Sequence, residues 1–135
     1  MKDVYVLNGA RTPFGSFGKS LKDTSATEMG RLTAVEAMKR SGIDAEEIDQ
    51  VVYGNVMHSS TNAAYVSRHI ALSAGLPIEV PALTVNRLRG SGLQAVVSAA
   101  QALRLGEGDT ALVGGTENMS TAPHADFVSR FAGTK

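Results

Sequence analysis

Along the chain, short continuous apolar runs alternate with longer stretches in which apolar residues recur every three or four positions. The runs predict buried strands, and the longer stretches predict helices with one apolar face. "VYVLNGARTPFG" opens with a β-rich run, Val4 to Leu7, and breaks at Gly9 and Pro13, so a strand followed by a loop is expected. "TSATEMGRLTAVEAMKRSG" carries the strongest helical signal. Met29, Leu32, Val35 and Met38 form its stripe, Ser25 and Glu28 make a capping-box pattern, and Gly42 supplies the stop. "IDQVVYGNVM" predicts a second strand. "TNAAYVSRHIALSAGLP" predicts a second helix, with Ala63, Val66, Ile70 and Ala74 on one face, Thr61 or Asn62 as its cap, and Gly75 and Pro77 at its end. "VPALTVNRL" predicts a third strand. A third helix follows through Leu93, Val96, Val97, Ala100 and Leu103 to Gly106, and "DTALVGGTENMS" gives a fourth strand.

The resulting order, β-α-β-α-β-α-β with short connections, predicts an α/β fold layered on a mixed, mostly parallel sheet. In such sheets the functional groups collect in loops at the carboxyl ends of the strands. Here those loops are residues 8–20, 54–61, 86–92 and 114–121.

Composition mainly removes possibilities. Thirteen basic residues balance thirteen acidic ones, and aromatics make up 5% with no Trp. A neutral chain with dispersed basic residues has no electrostatic footprint for nucleic acid or an anionic membrane. The absence of cysteine excludes disulfides, thiolate metal sites and a cysteine nucleophile supplied by this chain. No apolar stretch reaches the ~18 residues of a membrane span, and the N-terminus lacks the pattern of a cleaved signal, so a protein of the cytoplasm, or else of an organelle matrix, is expected. No metal site is expected.

The third strand, a glycine turn and the third helix place Arg89 where a reactive group would be presented. Gly90, Gly92 and Ala95 match the loose dinucleotide pattern G-x-G-x-x-A, with Asp109 about 20 residues on as the acidic ribose partner. Two strand–helix units precede this turn, whereas the dinucleotide turn normally follows the first strand. The simpler reading is that the glycines allow a close strand-to-helix packing.

The wider stretch "PALTVNRLRGSGLQAVVSAAQAL" resembles the active-site segment of the thiolases. "NGARTPFGSFGKSLKD", "VVYGNVM" and "ALVGGTENMSTAPH" resemble that family's other amino-terminal signatures, in the same order. The resemblance implies a thiolase-like N-terminal half and a parent reaction of acyl transfer between acyl-CoA molecules, making or cleaving 3-ketoacyl-CoA through an acyl-thioester on a cysteine. The family pattern at the turn is N-R-x-C-[SG]-S-G. Asn86, Arg87, Gly90, Ser91 and Gly92 match it, Leu88 takes the variable position, and Arg89 stands where the nucleophilic cysteine belongs.

A helix N-terminus favours a thiolate. A guanidinium stays protonated and offers donors but no lone pair. Arg89 is therefore not expected to act as a nucleophile, and its charge has the wrong sign for that helix end. It must reach solvent, recruit Glu117 or bind an anion; escape to solvent is the expectation. The family's histidine base, in a G-H-P motif, is absent, as are its C-x-G cysteine and N-E-A-F asparagine; His58, His69 and His124 lie in none of these motifs. Glu117 and Asn118 are candidates near the reaction centre by resemblance.

The resemblance further implies that residues 1–121 form an incomplete thiolase-like N-terminal domain and that residues 122–135 begin a loop domain. No cofactor is expected, acyl-CoA entering only as the family's substrate. The chain alone is expected to be inactive. The alternative is a non-enzymatic remnant or split-gene subunit that acts as a homo-oligomer or with a complementary thiolase chain.

Overall fold

The structure, a computed structural model, describes residues 2–128. Three helices and three strands alternate: α1 (Ala26–Ser41), β1 (Gln50–Gly54), α2 (Val66–Ser73), β2 (Ala82–Val85), α3 (Ser91–Leu105) and β3 (Ala111–Gly115). Short 3₁₀ turns lie at Ala45–Glu47, Ala63–Tyr65 and Met119–Thr121. The strands form one parallel sheet in the order β2-β1-β3, with Val52 opposite both Leu83 and Val113.

Central strand β1 is buried on both faces because its apolar residues run without interruption. Val51 and Tyr53 point into the larger core with Ala34, Met38, Val66, Ile70 and Leu112. Val52 points the other way, onto Ala95 and Ala99 of α3. Helices α1 and α2 therefore cover one face and α3 covers the other, giving three layers. Burial against this packing pushes the Tyr53 hydroxyl up to about 12, with a smaller opposing effect from a hydrogen bond to Thr33.

Helix ends follow local rules. Gly42 and Gly106 close α1 and α3 in the left-handed conformation, with φ of 68° and 85°. Ser25 caps α1 by accepting from the Glu28 N–H at 3.1 Å. The expected capping box is only half formed, because the Glu28 carboxylate takes a bidentate pair with Arg31 at 2.6 and 2.7 Å. That pairing holds the Glu28 carboxyl below its ordinary range. Neither Thr61 nor Asn62 caps α2 with its side chain; the 3₁₀ turn Ala63–Tyr65 leads into that helix instead.

Two expectations need correction. Val4–Leu7 is not a strand. Val4, Tyr5, Val6 and Leu7 are 39%, 77%, 86% and 62% exposed, and the backbone of this segment makes no ladder. It is held by Arg40, which donates to the Gly9 carbonyl, by Asn8, which donates to the Arg40 carbonyl, and by the exposed Lys2–Asp109 pair. A cavity of about 510 Å³ lies between residues 2–12 and the free edge of β3 at 108–116. A β-rich run becomes a strand only when an edge lies within hydrogen-bonding distance, and here the β3 edge is too far. The sheet is accordingly all parallel among the described residues, and the observed order is α-β-α-β-α-β.

The second correction concerns the helix faces. Leu32 and Val35 of α1 and Leu93, Val96 and Val97 of α3 are substantially exposed. Met29 and Met38 of the expected α1 stripe are buried, together with Ala26, Gly30 and Ala34, while the buried face of α3 is lined by Ser91, Ala95 and Ala99.

Candidate functional site at the carboxyl end of the sheet

Strands β1 and β2 are neighbours, yet the chain leaves β1 toward α2 on one face and leaves β2 toward α3 on the other. The chain then passes back over β1 to reach β3, so the strand order reverses between β1 and β3, and their carboxyl ends flank a topological switch point, the usual place for a ligand crevice in an open parallel sheet. The turn carrying residue 89 lies there.

Residues 86–91 lock that turn through short-range hydrogen bonds. Asn86 Oδ1 accepts from the Leu88 N–H at 3.0 Å. Ser91 Oγ accepts from the Arg87 N–H at 2.9 Å and donates to the Leu88 carbonyl at 2.5 Å. Backbone N–H groups of Gly90 and Ser91 donate back to Arg87 and Leu88, at 3.0 and 3.1 Å. Leu88 is held at a φ of 48°, the one non-glycine residue with positive φ among those described. Such a conformation costs on the order of 1–3 kcal/mol and persists only where its surroundings fix it.

Within this turn Ser91 is a buried structural hydroxyl and Asn86 closes an Asx turn. The Arg87 guanidinium donates to Gln94 Oε1 at 2.7 Å, tying the turn to the first turn of α3. Arg89 is exposed and has no hydrogen bond or ion pair among the described residues. Its charge escapes into solvent, as expected for a guanidinium at the positive end of a helix.

Glu117 does not reach Arg89. Its carboxylate accepts from the Val56 N–H at 2.9 Å, from the Met57 N–H at 3.1 Å and from Asn55 Nδ2 at 3.1 Å. Asn55 Nδ2 also donates to the Thr116 carbonyl at 2.9 Å. The loops after β1 and β3 are thereby clasped together. Asn55 is 2% exposed, and its Oδ1 is buried with no donor among the described residues. Asn118 works farther out: its Nδ2 donates to the carbonyls of Leu21, Lys22 and Thr24, and its Oδ1 accepts from Ser120 N–H. Glu117 and Asn118 are therefore held in two loop ties on different sides of the β3 exit.

Asn55 and its neighbour Gly54 escaped the residue-by-residue reading of the sequence. Their signal was the Gly-Asn pair at the end of an apolar strand, inside the quoted stretch "VVYGNVM".

Asp109, weighed as a ribose partner for the glycine turn, precedes β3 and pairs with Lys2. In a parallel sheet the start of β3 and the end of β2 lie at opposite ends, so Asp109 and Gly90 cannot hold one ligand. At that far end Asp49 Oδ2 accepts from the N–H groups of Asp109 and Thr110, at 2.7 and 3.0 Å, and these donors keep its carboxyl below the ordinary range. His58 and His124 are exposed; His69 is half-buried beside the Tyr65 ring. Among the described residues no cluster of three metal-ligating side chains forms, and no helix is long and apolar enough to cross a membrane.

Residues 4–135 match the family described as thiolase, N-terminal domain. The chain is 44% identical over 135 residues to the mitochondrial 3-ketoacyl-CoA thiolase of Homo sapiens, covering all of this chain and 34% of that protein. It is 47% identical over 130 residues to a beta-ketothiolase of Cupriavidus necator, covering 96% of this chain and 33% of the relative. The crystal structure of the human mitochondrial enzyme in complex with CoA superposes with a TM-score of 0.92 at 44% identity, over 97% of this chain and 33% of that one. A thiolase from Ascaris suum in complex with coenzyme A superposes with a TM-score of 0.88 at 31% identity, over 99% of this chain and 35% of the other. The chain thus spans about a third of the length of the relatives it matches.

Proposed function

Because this chain belongs to the thiolase family, we propose that it is the amino-terminal portion of an acetyl-CoA C-acyltransferase fold and that these 135 residues alone do not catalyse the family's reaction. One observation carries the second half of the proposal: the turn is built in full, and the side chain it presents is a solvent-exposed guanidinium. Acyl transfer through a covalent intermediate needs a nucleophile with an available lone pair and a base to activate it. Arg89 supplies no lone pair. No histidine hydrogen-bonds to the turn among the described residues. Residues 1–121 then correspond to a thiolase-like domain, with 122–135 leading toward a loop domain; part of that segment, 129–135, lies outside the described residues. Acyl-CoA is the substrate class of the parent reaction.

The test is thiolysis of acetoacetyl-CoA by the purified chain, followed as loss of the magnesium–enolate absorbance. No rate above the blank is expected, either for the chain as it stands or for Arg89→Cys, which restores a thiol without a base. Turnover by the unmodified chain would sink the proposal.

A second reading, association with another copy or with a complementary thiolase chain, is favoured by the apolar surface left uncovered. Leu93 and Leu105 of α3 are 72% and 78% exposed, and Val6 is 86% exposed beside the open β3 edge. Exposed apolar faces and unpaired strand edges both promote association. Multi-angle light scattering is expected to give a mass above 14.1 kDa at high concentration. A monodisperse monomer there counts against this reading.

A further inference from the structure

We propose that Gly54 and Gly115, at the carboxyl ends of β1 and β3, are positioning residues for the side chain at position 89. They let the first turn of α3 rest directly on the strand ends, and that contact fixes the left-handed Leu88 backbone that aims residue 89.

The contact is backbone against backbone. A Cβ on Gly54 would lie 2.4 Å from the Ser91 carbonyl carbon, 2.6 Å from its oxygen and 2.7 Å from the Gly92 nitrogen. A Cβ on Gly115 would lie 3.1 Å from Gly92 Cα. No rotamer can relieve either contact, so a side chain at 54 must lift the start of α3 off the sheet, and one at 115 must push it back by a few tenths of an ångström. Ser91 transmits that lift. Its hydroxyl bridges the Arg87 N–H and the Leu88 carbonyl, and its own N–H donates to the same carbonyl. Moving Ser91 therefore releases the bonds that hold Leu88 at a φ of 48° and changes the direction in which residue 89 leaves the turn. A second fastening acts at the same strand ends: the Asn55 N–H donates to the Val85 carbonyl at 3.1 Å and the Thr116 N–H to the Gly54 carbonyl at 3.0 Å, so the platform under the turn is itself rigid.

The proposal rests on reading residue 89 as the family's reactive position, and the experiment separates the two. The chain contains no cysteine, so Arg89→Cys introduces a single thiol whose ionisation can be read without interference. The probe is iodoacetamide. Alkylation rates of the full-length Arg89→Cys chain are measured by intact mass from pH 5 to 10, and the midpoint of the pH–rate profile reports the thiolate. Held at the helix N-terminus, the thiol is expected to titrate at least about one pH unit below the ~8.5 of a free cysteine. Adding Gly54→Ala or Gly115→Ala is expected to move the midpoint back up by about one unit, with circular dichroism confirming that the fold is kept. Ile70→Val, a core change on the opposite face of the sheet, serves as the control and is expected to leave the midpoint in place. Gly115→Ala makes the looser contact, so it carries the test if Gly54→Ala does not fold. A lowered midpoint that neither glycine substitution moves overturns the positioning role and leaves the reading of position 89 standing. An ordinary midpoint in Arg89→Cys overturns both.

Discussion

Replacing Glu117 with alanine is expected to lower the unfolding free energy by about 3 kcal/mol, a large fraction of a small domain's stability. The carboxylate accepts three hydrogen bonds, two from backbone N–H groups of one loop and one from a buried amide. Hydrogen bonds to a charged acceptor contribute about 1.5–3 kcal/mol each. The site is half-buried, so water replaces part of what is lost and the full sum is not reached. Glu117→Gln sharpens the argument. Its one remaining oxygen can still serve two donors, but its amide nitrogen opposes a third donor, and a cost of about 1.5 kcal/mol is expected. Urea unfolding measures both. A loss below about 0.5 kcal/mol in the alanine variant, the range of an ordinary surface substitution, would show that the clasp does not hold the loops.

Gly30→Ala is expected to destabilise by about 2 kcal/mol, against the trend set by helix propensity. Alanine is favoured over glycine inside a helix by about 1 kcal/mol. Here, however, a Cβ would lie 2.3 Å from Ile70 Cδ1 and 2.9 Å from Cγ1, where α1 meets α2. Ile70 is fully buried and has nowhere to swing. Overpacking of this kind costs roughly 1–3 kcal/mol or more, and it wins over propensity. The pair gives its own check. Ile70→Val removes the Cδ1 atom in question and alone costs about 1 kcal/mol. In the double variant the added and deleted methyl groups partly exchange places, so the combined loss should fall short of the sum by about 1 kcal/mol. Strict additivity would refute the contact as the source of the effect.

Both predictions depend on residues whose partners lie far away in sequence, and that marks the boundary of what the sequence made legible. Strands β1, β2 and β3, the stops at Gly42 and Gly106 and the turn at residues 86–92 could be read locally, because apolar runs, left-handed caps and a Gly-Ser-Gly turn act over a few residues. The Val4–Leu7 segment could not. Its composition suits a strand, but whether it becomes one depends on the distance to the β3 edge, a property of tertiary packing. The helix faces misled for a related reason. Each of α1 and α3 carries two candidate faces, one of large apolar residues and one of small ones at four-residue spacing. Close packing favoured the small residues, with Ala26, Gly30 and Ala34 of α1 buried beside Met29 and Met38, and Ser91, Ala95 and Ala99 of α3 against β1 and β3. Leu93, Val96 and Val97 were left outside.

The candidate site divides in the same way. Asn86, Gly90, Ser91 and Gly92 announce a strand-to-helix turn, and Arg89 stands out within it. The clasp between Asn55 and Glu117 joins positions 62 residues apart, and no local pattern points from one to the other. Gly54 was equally silent, since a glycine ending a strand reads as a simple stop until the helix resting on it is known.

The strand order carries a consequence for how the chain is made. In β2-β1-β3 the middle strand is the earliest of the three to be synthesised, and both of its neighbours come later. A polypeptide emerging from the ribosome therefore exposes Gln50–Gly54, with its four buried residues, before either flanking strand exists. At synthesis rates of roughly 5–20 residues per second, on the order of 3–13 seconds separate Gln50 from Gly115. During that interval α1 and α2 are the only elements available to shelter one side of β1, and the other side waits for α3. The spine of the finished domain is thus left only partly covered during synthesis, and a nascent-chain chaperone would find an apolar target there.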